Sequence, residues 1–304
     1  MISRRHFLGL TAATVGAGVL GATHALAIEP RFSLIVKQWT VESASWPASA
    51  PALRIGILTD LHAVEPWMPA HRIWSIVQEL NAQKPDIIVL LGDYVSGLRH
   101  RFVTREVPVA EWMAPLRALS APLGVYAVLG NHDFSSGEAP EIRIAFGKAG
   151  IPLLENRACR VHMERGHFWI TGLLDQFYSK RWGIEDLRDT LRHVTDGAPV
   201  ILLAHEPDIF DIVPKRVALT LSGHTHGGQI DIPFIGRPAF MGSHARRYAR
   251  YAYGHFKKPA RHMIVSSGLG LSNIPIRFMV PPELAIVTLR HAEPSLNAPL
   301  IVKA

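Results

Sequence analysis

Five short apolar runs punctuate the chain, and each gives way to polar residues within a position or two. Residues 53–58 lead into Thr59-Asp60-Leu61-His62, and residues 86–91 into Gly92-Asp93. Residues 125–129 lead into Gly130-Asn131-His132-Asp133, and 200–204 into His205-Glu206-Pro207. The fifth run, 217–221, delivers Ser222-Gly223-His224-Thr225-His226-Gly227-Gly228. Short β-branched runs bounded by Gly and Pro predict buried strands. Helical spacing of apolar residues predicts helices over 70–81, with Ile73, Trp74, Val77 and Leu80 on one face, and over 109–119. Two more are predicted over 138–149 and 184–193. Strand–helix alternation argues an α/β sheet that binds ligands at the carboxyl ends of its strands.

The later part of the chain changes character. Runs at 160–164, 168–172, 251–256, 263–267 and 284–289 read as strands, with little helix among the last three. They predict a second, more mixed sheet packed on the first. No Pro/Ser/Gly-rich linker separates the two, and there is no internal repeat, so residues 28–304 read as a single domain.

Composition narrows the chemistry. Of 304 residues, 48% are hydrophobic, enough for a full core, and the lone Cys159 excludes an internal disulfide or a thiolate metal site. Any metal must be held by His, Asp, Asn or Glu. The net charge of +7 is modest for a nucleic-acid binder but suits anionic substrates or an acidic surface. Arg4-Arg5 precedes Phe7-Leu8 and a mild Ala/Gly-rich stretch that ends Ala25-Leu26-Ala27. That is the pattern of a secretory signal over residues 1–27, and the paired arginines resemble a twin-arginine signal. The expectation is export by the twin-arginine machinery to the periplasm or the outer side of the inner membrane. Without Arg4 and Arg5 the charge falls by two, to +5.

In an extended segment alternate residues share a side, so His224 and His226 can face one point. Each motif alone is weak. Together, in order and each closing a predicted strand, they resemble the calcineurin-like metallophosphoesterase family over roughly residues 53–226. The resemblance implies a four-layer α/β/β/α sandwich of two mixed sheets around a dinuclear metal site. It also implies that Asp60, His62 and His226 hold one divalent ion, Asn131, His205 and His224 a second, and that Asp93 bridges them. A hydroxide between the ions would be the nucleophile, since two metals roughly 3.5–4 Å apart activate water and neutralise phosphoryl charge. His132 would stabilise the phosphoryl group or protonate the leaving oxygen, and Asp133 would fix its tautomer. The related purple acid phosphatases carry a Tyr ligand and a Gly where this chain has Ser96 and His62. Divalent Mn, Zn or Fe is therefore expected rather than ferric iron.

The segment from Arg237 to Lys258 interleaves cations, among them Arg246, Arg247 and Arg250, with aromatics. It suits either an anionic headgroup at a membrane surface or a solvated hairpin. Residues 267–277, ending in Arg277, and Pro281-Pro282-Glu283 resemble the exported YaeI- and YkuE-like branch of the family. Arg277 is a candidate phosphate contact or a structural pair. The expected activity is a phosphodiesterase or pyrophosphatase on an envelope or lipid-linked phosphate ester. An exported monoesterase, a nuclease and a non-catalytic metal-binding protein are the alternatives. The last should have lost a ligand or His132, and none is missing; nucleic acid is not the expected partner.

Overall fold

The apolar runs form strands whose alternate residues serve different cores. In the computed structural model, residues 18–98, 102–179, 183–238 and 250–293 are described, with His6, Thr14 and Gly16 besides. Two main sheets are built from β1 (Ile35–Ser43), β2 (Leu53–Leu58), β3 (Ile87–Leu90), β4 (Val125–Ala127), β5 (Arg157–His162), β6 (His167–Gly172), β7 (Val200–Leu203), β8 (Val217–Ser222), β9 (Gly254–Lys258), β10 (Arg261–Val265) and β11 (Glu283–His291). The helices that cover them are α1 (Ala70–Ala82), α2 (Val109–Leu116), α3 (Asn131–Ser135), α4 (Ala139–Ala149) and α5 (Ile184–Arg192).

The first sheet runs β1-β11-β2-β3-β4, the second β9-β10-β8-β7-β6-β5. In β3, Ile87 and Val89 point between the sheets, where they meet Ile55, Ile201, Leu203 and Leu219. Ile88 and Leu90 point the other way, toward Ile73 and Val77 of α1, Trp112 of α2 and Phe146 of α4. On the second sheet Val200 and Leu202 face Leu187 and Leu191 of α5. Both faces of each central strand are thus covered, which is why these strands read as unbroken apolar runs. The result is four layers, α/β/β/α.

Five details depart from the sequence reading. Strand β11 joins the first sheet, between β1 and β2, rather than the second. The runs β7 and β8 belong to the second sheet, so the metal motifs come from strand ends of both. Trp74 is exposed and Ile76 takes the buried place on α1. The strand expected at 251–256 begins only at Gly254, and β1 had no counterpart in the reading.

A helical stretch leads into the body, including Glu29–Phe32. The carbonyls of Ala25 and Leu26 accept from Arg277 N and Trp67 Nε1 at 3.0 and 3.2 Å. The Glu29 carboxylate accepts the N–H groups of Met279 and Val280. The expected cleavage point after Ala27 lies inside this stretch. Among the described residues no helix is long and apolar enough to cross a membrane.

Candidate metal centre

Loops after β2, β3, β7 and β8, with the start of α3, deliver seven candidate ligands to one place. The loops continue the sheet: Asp60 N donates to Gly92 O and His62 N to Asp93 O, both at 3.0 Å. This register sets Asp60, His62 and Asp93 side by side. Gly223 N donates to the carbonyl of His205, which ties the β7 and β8 loops together in the same way.

Two groups of ligand atoms result, and they share Asp93. Asp60, His62, Asp93 and His226 form one; Asp93, His205 and His224 form the other. Asn131 adjoins the second through its Oδ1, 2.8 Å from His224 Nδ1. Asp93 Oδ2 lies 3.5 Å from His62 Nε2 and 3.2 Å from His205 Nε2, between the two groups. These are the seven residues named as ligands from sequence.

The donor set fits a cation. A carbonyl can only accept, so the contacts of His62 Nδ1 with Val95 O (2.8 Å) and His205 Nδ1 with Leu91 O (2.7 Å) place the ring protons there. In the neutral imidazoles, each Nε2 then turns a lone pair toward Asp93. His62 Nε2 and His226 Nε2 stand 2.9 Å apart, and Asp60 Oδ1 is 3.4 Å from the latter. Ring nitrogens and carboxylate oxygens crowded together away from solvent are the donor set that a positive ion between them would satisfy.

The electrostatics agree. Burial lowers His62 and His224 to about 3 each, so both are neutral and free to ligate at ordinary pH. Burial raises Asp60 to about 6, with the Asp93 charge adding to the rise. Burial would lower His205 too, but the Asp93 carboxylate outweighs it and raises that imidazole well above its ordinary value. The cluster thus holds a proton where a metal ion would replace it.

Backbone strain marks the same residues. Asp60, His62, Asp93, His224 and His226 all have positive φ, between 44° and 69°. Non-glycine residues rarely adopt this region, and a concentration of them is a signature of a functional site. Two glycines make room at closest approach. A Cβ on Gly130 would lie 2.3 Å from Asp93 Oδ1, and one on Gly223 2.4 Å from Asp60 Oδ2.

His132 sits beside the cluster. Its N–H donates to Asp93 Oδ1 at 2.8 Å, and its ring meets that of His62 edge-on at 5.0 Å. Its Nε2 faces Ser272 Oγ at 3.3 Å. In sequence Ser272 is one residue of the loop 267–277, and a hydroxyl so far along the chain gives no local signal of this contact. Gln229, directly after the histidine motif, holds that loop by accepting from Ser272 N and donating to Ile274 O and Ile276 O.

One expectation needs correction, and one open alternative is decided. Asp133 does not orient the His132 ring. It is the third residue of the one-turn helix α3, and its carboxylate accepts the N–H groups of Gly130, Asp93 and Tyr94 at 2.8 to 2.9 Å. It therefore caps α3 and pins the Asp93 loop to it. Arg277 is 0% exposed, and its guanidinium donates to the carbonyls of Ser267, Gly268, Gly270 and Val280. It closes the glycine-rich loop and packs behind His226, Nη2 to Nδ1 at 3.5 Å, rather than facing a substrate. Arg250 pairs with Asp211 at 3.0 Å and lies over the Tyr251 ring. Arg246 and Arg247 lie outside the described residues.

Comparison with known proteins agrees with this geometry. The model of the calcineurin-like phosphoesterase family matches residues 53–228. The uncharacterized metallophosphoesterase YkuE of Bacillus subtilis is 29% identical over 95% of this chain and 98% of its own length. An uncharacterized metallophosphoesterase of Aquifex aeolicus is 31% identical over 85% and 93%. Phosphodiesterase YaeI of Escherichia coli is 29% identical over 95% of this chain and all of its own. The matched region ends just past the second histidine of the β8 loop, so it takes in every candidate ligand. The chain therefore belongs to the calcineurin-like phosphoesterase family and is a hydrolase of phosphate esters.

Proposed function

We propose that this protein holds two divalent ions, Mn, Zn or Fe, and acts as a phosphodiesterase or pyrophosphatase on a lipid-linked phosphate ester of the cell envelope. The observation that carries the dinuclear reading is the position of Asp93 Oδ2 between two ligand groups. A carboxylate there can neutralise part of both charges. Divalent ions in such a site supply Lewis acidity to the phosphoryl oxygens and make water a nucleophile at neutral pH. His132, its ring against that of His62 and itself outside the ligand set, would donate a proton to the leaving oxygen.

The diester and envelope parts rest on other support. A full-length relative bears the name phosphodiesterase. The N-terminal Arg4-Arg5 pattern argues for export by the twin-arginine route, toward a compartment bounded by anionic lipid. In this reading the cationic, aromatic stretch from Arg237 to Lys258 meets the headgroup.

The test is a metal-loaded mature protein assayed on a bis-aryl diester, a mono-aryl ester and a lipid-linked pyrophosphate. Preference for the diester and the lipid substrate is expected; preference for the monoester would replace the proposal with a phosphatase. Arg4→Lys with Arg5→Lys should leave the protein in the cytoplasm, and normal export of that variant would overturn the location.

A further inference from the structure

The candidate ligands are not equally covered. Asp60, His62, Asp93, His205 and His226 are buried, while Asn131 and His224 are half-buried, as is His132. The cluster therefore opens on the side of Asn131 and His224, and an ester must reach it there.

Aromatic rings stand at that opening. Phe177, 41% exposed, has its ring 5.7 Å from that of His224. Its neighbour Tyr178, 49% exposed, stacks on Phe134 at 4.8 Å and 20°. Phe134 belongs to the same one-turn helix as Asn131. Behind it Arg143 lies 5.4 Å from the ring centre, fixed by two hydrogen bonds to Glu155. The loop is pinned from below as well. Gln176 N and Nε2 donate to Glu206, the residue after His205, and Phe177 N donates to Asp175 Oδ1. Two exposed aromatic residues are thus carried on a loop held firmly against the strand ends that supply the metal ligands.

We propose that Phe177, beside His224, and Tyr178, stacked on Phe134, form a subsite that stacks a planar aromatic group of the phosphate ester. The chemistry is that of a π face offset on a π face, and both an aryl group and a nucleobase offer it. The subsite rests on the reading that a phosphate ester is hydrolysed at the adjacent cluster.

The experiment measures binding to the metal-loaded protein by calorimetry, so that it does not depend on turnover. Phenylphosphonate, thymidine 5′-monophosphate, hexylphosphonate and methylphosphonate are compared on wild type, Phe177→Leu, Tyr178→Leu and Tyr178→Phe. The Leu variants keep apolar bulk and remove the flat face. They should weaken phenylphosphonate, the nucleotide or both roughly tenfold, while Tyr178→Phe retains the affinity. Methylphosphonate, which reaches only the cluster, should change less than twofold. Whichever of the aryl and nucleotide ligands is affected names the substrate class. Equal losses for all four ligands would make the ring pair structural, and a tenfold loss for hexylphosphonate would make the ledge merely apolar; either overturns the subsite. Absence of ester turnover in the wild type would instead strike the hydrolytic reading, with the binding pattern still legible.

Discussion

Ser272 is the smallest group with a stake in the chemistry. Its hydroxyl faces His132 Nε2 at 3.3 Å, and its own position is set by Gln229. A hydroxyl there holds the imidazole in one orientation without touching a metal ligand atom. Ser272→Ala is expected to lower kcat by roughly tenfold or less, a part of the 10²–10⁴ that an acid such as His132 contributes. Metal content should stay intact and Ser272→Thr should recover most of the rate. The loss should grow as the leaving alcohol becomes more basic, because a poorer leaving group depends more on a placed proton. A loss independent of the leaving group would assign Ser272 to loop packing. Asp133 teaches the complementary point. Its place in the motif was plain from sequence, but its work was not, because four backbone N–H groups on two loops claim its oxygens only once the chain has folded.

At the scale of elements, the site is a product of loops forced close together. Gly130 enters α3 with its Cα against Asp93, and Gly223 opens the histidine loop against Asp60. Gly130→Ala and Gly223→Ala each place a methyl within 2.4 Å of a ligand carboxylate. Both variants should fold, since the strands are untouched, yet bind metal at least tenfold more weakly; elemental analysis after dialysis reads this directly. Full metal content in either would mean the loops yield more easily than their neighbours suggest. The strands that carry these loops were legible in sequence because burial on both faces leaves unbroken apolar runs. Edge strand β1 was not, since Lys37, Gln38, Thr40 and Glu42 break its apolar run. The sheet that receives β11 was equally hidden: pairing partners lie 248 residues apart in sequence, as Ile35 with Glu283.

For the whole molecule, metal and fold are linked. Ions that bind only the folded cluster stabilise it by about 2.7 kcal/mol at a hundredfold excess over Kd. Chelation with EDTA should lower Tm by several degrees and re-addition of Mn restore it. Affinity should depend on pH through Asp60 and His205. Asp60 is held up at about 6 by burial and His205 is raised by Asp93, whereas His62 and His224 are already neutral above about 3. Below pH 6 a proton competes with the ion at Asp60, and the proton held at His205 must leave as well, so Kd should rise by more than roughly a hundredfold from pH 7 to pH 5. A rise of only about tenfold would mean that Asp60 titrates alone.

The place of β11 between β1 and β2 in the first sheet has a consequence for synthesis. Until residues 283–291 leave the ribosome, β2 lacks its antiparallel partner and β1 has none at all. A nascent chain can therefore assemble α1, β3 and β4 around an incomplete sheet but cannot close it. The loop bearing Asp60 and His62 hangs from the open edge of that sheet. Metal capture therefore belongs after residues 283–291 have emerged and paired, and the ion acquired is the one offered where the sheet first closes.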